Sequence, residues 1–357
     1  LLAGSFFLSL VLTGVVKVFA RRVGFLAYPV SDRFSDRTVP LGGGIAIFTT
    51  LLFFIVPATI AIKFFPGQLK SLSEAANIKL VDFLAKVNQL IVILFGAIVL
   101  LVLGLWDDKK HLGPFFKLGV QFAVAAAAAL LADVRVELFI ESKIITSVLS
   151  AFWIVLIINA FNFLDNMDGL AAGVAVIASS ILFAAAAISG QVFVGGLALV
   201  LVGTLLGFLV FNFPPAKIFM GDAGSLVMGF FVAVLTLRTT YYREAQSGRW
   251  YAVLMPLLVM AVPLYDFISV TLLRIYQGKS PFVGDTQHFS HRLKKSGLTD
   301  TQTVLTLYLA TLCTGLGATF LNQVNPIGAI LIFTQTFMIL AIIAILENTG
   351  KNDKSSD

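Results

Sequence analysis

Asp107 and Asp108 stand side by side in LGLWDDKKHLGP, Leu103–Pro114, and Lys109, Lys110 and His111 follow at once. Two adjacent carboxylates repel unless a cation or a proton offsets one of them. Mg²⁺, which takes oxygen ligands and keeps several waters, suits that task. Taken alone, the pair reads equally well as a polar helix cap. A second group lies in NAFNFLDNMDGLAAG, Asn159–Gly173, where Asn159, Asn162, Asp165, Asn166 and Asp168 crowd one short stretch. Asn162, Asp165 and Asp168 recur at intervals of three and share a face if this end is helical. Such a density of polar groups is costly in a bilayer unless they meet partners, water or a ligand. A helix-packing amide network is the competing reading.

Two further stretches carry similar chemistry. In FPPAKIFMGDAGS, Phe213–Ser225, paired prolines end an apolar run, Lys217 is a candidate phosphate contact, and Gly221 and Gly224 permit close approach around Asp222. Ser225 and the backbone N–H groups of the next helix start could receive an anion. In RIYQGKSPFVGDTQHFSHRLKKSGLT, Arg274–Thr299, His288 and His291 are three apart with Arg292 adjacent. Two histidines without a nearby cysteine do not complete a zinc site, so His and Arg suit phosphate groups better. Asp266, in MAVPLYDFISV, is an acid inside an apolar segment, either facing a site or buried for structural reasons.

What must position these groups is a membrane bundle. Hydrophobic residues make up 58% of the 357-residue chain, charged residues 12%, and the mean hydropathy is +0.95. A soluble chain could not cover its surface with so few charges. The expected fold is all-α and polytopic. One transmembrane catalytic domain spans 1–346, and a short polar tail covers 347–357. A span needs roughly 20 apolar residues. About eleven candidates fall near 1–19, 41–62, 88–106, 114–132, 147–164, 170–189, 193–211, 224–240, 251–273, 303–322 and 326–346. None shows the alternation of a barrel strand, and helices satisfy their own backbone. The first segment lacks a basic leader and a small-residue cleavage site, so it reads as a span. Pro256 and Pro263 predict a kink in the ninth. Cys313 is the single cysteine and can form no internal disulfide.

An odd number of spans puts every polar cluster on the side of the C-terminus. That side also carries most of the Lys and Arg, which predicts that it is cytoplasmic. The net charge of +6 is also compatible with contacts to anionic lipid. Acids, amides, Lys, His and Arg gathered at one rim fit a metal-bound phosphorylated substrate meeting a membrane-held one. An ion-coupled transporter is the rival class, but it would carry its acids at mid-span in several helices.

WDDKKH, NFLDNMDGLAAG and KIFMGDAGSLVMG occur in this order between apolar runs. With these motifs the chain resembles the polyprenyl-phosphate N-acetylhexosamine-1-phosphate transferases over roughly Gly24 to Leu293. The resemblance is nearest to the bacterial branch that starts surface polysaccharides, and more distant to phospho-MurNAc-pentapeptide transferase. It implies ten or eleven spans in the bacterial cytoplasmic membrane, with a cytoplasmic active site. It also implies transfer of a sugar 1-phosphate, GlcNAc-1-phosphate by default, from a UDP-N-acetylhexosamine to undecaprenyl phosphate. Mg²⁺ is the implied cofactor, with Mn²⁺ as an alternative. The bilayer is a partner, nucleic acid is not, and a homodimer stays open. By resemblance, Asp107, Asp108, Asp165, Asp168 and Asp222 are catalytic, and Asp108, Asp222 and Asp165 are metal candidates. Asn159, Asn162, Lys217, His288, His291 and Arg292 bind substrate. The family loop commonly reads His-x-His-His-Arg, and here Ser290 replaces one histidine. In the early loop Ala27 and Ser35 stand where Asp and His are usual, while Pro29, Arg33, Pro40, Gly42 and Gly43 fit the pattern, and Asp36 is a candidate to take over a contact there.

Overall fold

The computed structural model describes residues 1–28, 38–65, 80–136, 140–239, 241, 249–280 and 288–349. Pro29, Arg33, Ser35 and Asp36 of the early loop, and the tail from 350 onward, lie outside the described residues. Apolar runs become helices because a bilayer leaves no other partner for backbone N–H and C=O groups. In chain order these are α1 (Leu2–Val23), α2 (Gly43–Phe64), α3 (Leu80–Lys110), α4 (Pro114–Leu131), α5 (Lys143–Leu164), α6 (Leu170–Ile188), α7 (Val192–Asn212) and α8 (Gly221–Arg238). A 3₁₀ turn, Trp250–Leu254, leads into α9 (Met255–Val259) and α10 (Ala261–Tyr276). The chain ends in α11 (Phe289–Lys295), α12 (Asp300–Thr319) and α13 (Pro326–Thr349). A two-residue antiparallel ribbon, β1 (Leu26–Ala27) with β2 (Val39–Pro40), closes the gap between α1 and α2.

Among the described residues, nine helices are long and apolar enough to cross a membrane: α1 to α8 and α13. The pair α9–α10, with its 3₁₀ lead, makes a tenth if counted as one span bent by 65°. The bend falls where Pro263 has no N–H to offer Val259 and its ring would press on that carbonyl. The Thr-rich α12 occupies the place expected of a further span and falls outside this apolar set.

The bundle is built around α8. Its spanning window is 83% buried, against 17% for α1 and for α13, so α8 is the hub and those two form the periphery. Helices α2, α3 and α5 pack directly on α8. Small residues allow the approach. A Cβ added at Gly44 would meet the backbone of Gly224, and one at Gly104 would meet the backbone of Ala223. On the other flank a Cβ added at Gly229 would lie 2.9 Å from the Ile158 Cα. The same device joins α1 to α7. Gly203 and Gly207 on α7 face Ser5 and Ser9 on α1, and the Ser9 hydroxyl donates to the Thr204 carbonyl at 2.6 Å. Membrane helices gain their contact energy from such close packing and interhelical hydrogen bonds, because lipid already solvates their apolar faces.

Gly104→Val should therefore push α3 off α8. We expect the substitution to cost ~1–3 kcal/mol, the range for overpacking a dense core. The check is a lower melting temperature of the detergent-purified protein.

Candidate active site

Helix α3 delivers Asp107 and Asp108 in its last turn, directly against the first turn of α8. The Asp222 N–H donates to Asp108 Oδ1 at 2.8 Å, and the Ala223 N–H lies 3.4 Å from Oδ2. Asp108 thus caps α8 from a different helix, supplying an acceptor to orphan amides and a negative charge to the positive end of the dipole. Gly221 makes this contact geometrically feasible. Its φ is +72°, and a Cβ there would lie 2.6 Å from Asp108 Oδ2.

Asp107 turns the other way and is buried. Its Oδ1 accepts the Leu112 N–H at 2.6 Å, and its Oδ2 accepts from Lys117 Nζ at 2.5 Å. Lys117 Nζ also lies 3.4 Å from Asp222 Oδ2. One ammonium therefore stands between two carboxylates brought in by α3 and α8. The sequence placed Lys117 only at a span end and gave it no role. The available signal was a cation in the first turn of α4, just after the aspartate pair, on an otherwise uncharged helix. Lys109, Lys110 and His111, the conspicuous charges next to the pair, are exposed.

The asparagine stretch joins this cluster through Ser225. The Asn162 amide donates to Ser225 Oγ at 2.9 Å, and Ser225 Oγ is 3.3 Å from the Asp222 carbonyl. Asn159, one turn earlier on α5, donates to Gln121 Oε1 on α4 at 2.6 Å and to the Val155 carbonyl at 2.8 Å. The amide network of the competing reading is thus present at Asn159, a turn away from the acids. Asp165 is the C-cap residue of α5 and half-buried. Asp168 Oδ2 accepts the Ala216 N–H at 2.8 Å, which pins the loop carrying Lys217, itself exposed. Gly169, at φ +74°, makes the turn into α6.

The histidine loop closes over the same end. Ser290 Oγ donates to Asn166 Oδ1 at 2.6 Å, so the residue that replaces a family histidine ties α11 to the α5–α6 turn. The His288 ring packs edge-on against Phe163, with centroids 5.5 Å apart, one residue along from Asn162. His288 and His291 are both buried. Arg292 pairs with Glu347 of α13, Nε to Oε2 2.9 Å. Glu347, expected to begin the polar tail, is buried and helical.

Among the described residues, each candidate is therefore placed at one end of the bundle or on a loop tied to it. Asp107, Asp108 and Asp222 form one cluster with Lys117, Asn162 is linked to it through Ser225, and the 288–292 segment is linked through Phe163 and Asn166. Among the described residues, no group of three or more His, Cys, Asp or Glu side chains is arranged to hold a metal. The carboxylates of Asp222 and Asp108 still fit Mg²⁺, which characteristically takes one or two protein carboxylates and completes its shell with water and substrate phosphate.

Burial, with His288 alongside, pushes the His291 imidazole from its ordinary 6.5 down to about 4. It is neutral at pH 7. Because the unfolded chain binds the proton first, this contribution to stability is full above about 6.5 and is lost as pH falls toward 4. His291→Gln should flatten the decline of melting temperature across that window, measured in detergent at a series of pH values.

Comparison with known proteins points the same way. Residues 90–240, which contain the whole acidic cluster, match the family described as Glycosyl transferase family 4. A Mycobacterium leprae protein, decaprenyl-phosphate N-acetylglucosaminephosphotransferase, is 30% identical over 338 residues, covering 88% of this chain and 81% of its own length. A Bacillus subtilis protein bearing the name "Probable undecaprenyl-phosphate N-acetylglucosaminyl 1-phosphate transferase" is 29% identical over 345 residues, 95% of this chain and 87% of its own. The undecaprenyl-phosphate alpha-N-acetylglucosaminyl 1-phosphate transferase of Thermotoga maritima is 29% identical over 284 residues, 80% of this chain and 78% of its own.

Proposed function

The chain belongs to the polyprenyl-phosphate N-acetylhexosamine-1-phosphate transferases, and from that premise we propose that it moves N-acetylglucosamine 1-phosphate from UDP-N-acetylglucosamine to undecaprenyl phosphate. The products are undecaprenyl diphosphate N-acetylglucosamine and UMP. The protein is a multi-pass phosphotransferase of a bacterial membrane, and the step opens cell-envelope polysaccharide synthesis. One observation carries this reading: Asp107, Lys117 and Asp222 share a cluster, with Asp108 at the start of α8, inside the matched region.

In the assigned reaction an oxygen of the lipid phosphate attacks the sugar-linked phosphorus of the donor. The bond from that phosphorus to the bridging oxygen breaks, and UMP leaves with the electron pair. A phosphate monoester with a second pKa of about 6 is largely ionised at neutral pH, so the attack needs little help from a base. Asp107 spends one oxygen on the Leu112 amide and the other on Lys117. Its role in this scheme is to hold Lys117, whose ammonium offsets phosphate charge. The carboxylates of Asp222 and Asp108, with Asp165 as a further candidate, would hold Mg²⁺ or Mn²⁺. When bound, the ion would supply Lewis-acid stabilisation of the diphosphate. Asn159, Asn162, Asp168 and Lys217 face the nucleotide side, and His288, His291 and Arg292 the donor phosphates and sugar.

Three finer points belong to the same proposal. Counting α12 and the bent α9–α10 with the nine apolar helices gives eleven spans. The Lys and Arg majority sets the site at the cytoplasmic face. One catalytic domain carries all of this, and a homodimer is compatible with the lipid-facing α1 and α13.

The decisive assay supplies purified protein with undecaprenyl phosphate, Mg²⁺ and a panel of UDP-sugars, and measures UMP and the lipid product. UDP-N-acetylglucosamine should be turned over and chelation should stop it. Asp222→Ala and Lys117→Ala should each lower the rate on the order of 100-fold or more while the helical content stays intact. Asp108→Ala should do the same and also cost about 1 kcal/mol of stability through the lost cap. Full turnover by Asp222→Ala would refute the assignment.

A further inference from the structure

Asp266 has no exposed surface, sits on α10 inside the bundle, and directs both oxygens at α11. Its Oδ2 lies 2.9 Å from His288 Nδ1, and its Oδ1 accepts the Phe289 N–H at 3.1 Å. An ionised carboxylate only accepts hydrogen bonds, so this geometry puts a proton on Nδ1 and leaves Nε2 as the ring atom free to meet a substrate. The ring also meets Phe163, which lies near Phe267, centroids 5.1 Å apart, and under the Arg274 guanidinium at 5.0 Å. The imidazole is held from two directions.

The other end of α11 is held in the same way by a different helix. Glu347 of α13 forms an ion pair with Arg292, Oε2 to Nε 2.9 Å, and its Oε1 lies 3.2 Å from the Tyr265 hydroxyl, while Arg292 Nη2 lies 3.1 Å from Ser269 Oγ. A buried carboxylate is costly in a bilayer-spanning bundle. Both of these are aimed at residues of the 288–292 segment whose chemistry suits phosphate, His288 and Arg292. General helix packing would not require that choice.

We propose that Asp266 is the positioning residue for His288 in sugar-phosphate transfer, fixing its tautomer and ring direction, and that Glu347 positions the guanidinium of Arg292. The proposal rests on the transferase reading above for the reaction that these residues serve. Asp266 does not touch substrate in this scheme. It acts through His288, in the way that an outer carboxylate orients a functional imidazole elsewhere.

The chain has three histidines, which makes a direct test practical. Protein labelled with ¹⁵N-histidine in detergent micelles gives few imidazole signals, and His288→Gln assigns one pair. The wild type should show the Nδ1–H form at His288, and Asp266→Asn should lose or shift it. Turnover by Asp266→Asn should fall on the order of 100-fold, the scale of a misplaced catalytic group. The double variant Asp266→Asn/His288→Gln should be no slower than His288→Gln alone, whereas a purely structural role for Asp266 would add its own loss. Glu347→Gln with Arg292→Lys should show the same lack of additivity. If Asp266→Asn does not fold, Asp266→Glu, longer by one methylene, carries the same readouts. An unchanged imidazole spectrum or additive losses would overturn the proposal. If the wild type released no UMP from any donor, the reaction would be wrong, and the imidazole spectrum would still decide whether Asp266 holds His288.

Discussion

The Asp108 carboxylate, set against the opening amides of α8, is the contact around which the polar end of the bundle is arranged. It joins residues 114 positions apart in sequence and closes a helix start that would otherwise leave unpaired N–H groups in a poorly hydrated place. The contact requires α3 and α8 to approach almost backbone to backbone. Gly104 and Ala223 supply that clearance, with Gly44 and Gly224 doing so between α2 and α8. Once the helices are that close, Asp107 and Asp222 cannot be far apart, and the Lys117 ammonium between them offsets their repulsion. Packing of small residues in the apolar layer thus determines the electrostatics at the rim.

The same logic extends outward. Charges inside the bundle occur in partnerships that cross between helices: Asp107 with Lys117, Asp266 with His288, Glu347 with Arg292. Each partnership has one member on a long helix and one on or near a loop. Rigid spans therefore act as the frame, and the loop residues inherit their geometry from it. The bent α9–α10 pair belongs to this frame, since the turn before Pro263 sets the direction in which α10 carries Asp266 and Ser269 toward α11.

Much of this was legible in the residues themselves. Apolar runs of span length marked the helices, because length and hydropathy alone fix where a chain can cross a bilayer. Pro263 marked the bend. The acidic and asparagine-rich stretches were recognisable because polar groups are so rare elsewhere in the chain. What was not legible depended on partners distant in sequence. Nothing local shows that Asp108 caps α8, since the cap and the helix belong to different segments. Lys117 had no role in the sequence beyond its place at a span end, and only the approach of α4 to both acids gives it a task. Asp266 was balanced between two readings until His288 was found against it. Glu347 looked like the start of a polar tail because its partner, Arg292, lies on a separate short helix. The count of spans differs for a similar reason: α12 is helical where expected, but its threonines leave it less apolar than the nine clear spans.

Gly221 and Asp108 have a consequence for how such a protein can change over generations. The space between the Gly221 α-carbon and the Asp108 carboxylate will not admit one more carbon atom, and the backbone at 221 has a twist that favours glycine. Neither position can drift alone. A larger residue at 221 evicts the carboxylate, while a shorter one at 108 leaves the helix start bare. A change at either site thus alters what the other can do, and the two are coupled across distant stretches of the gene.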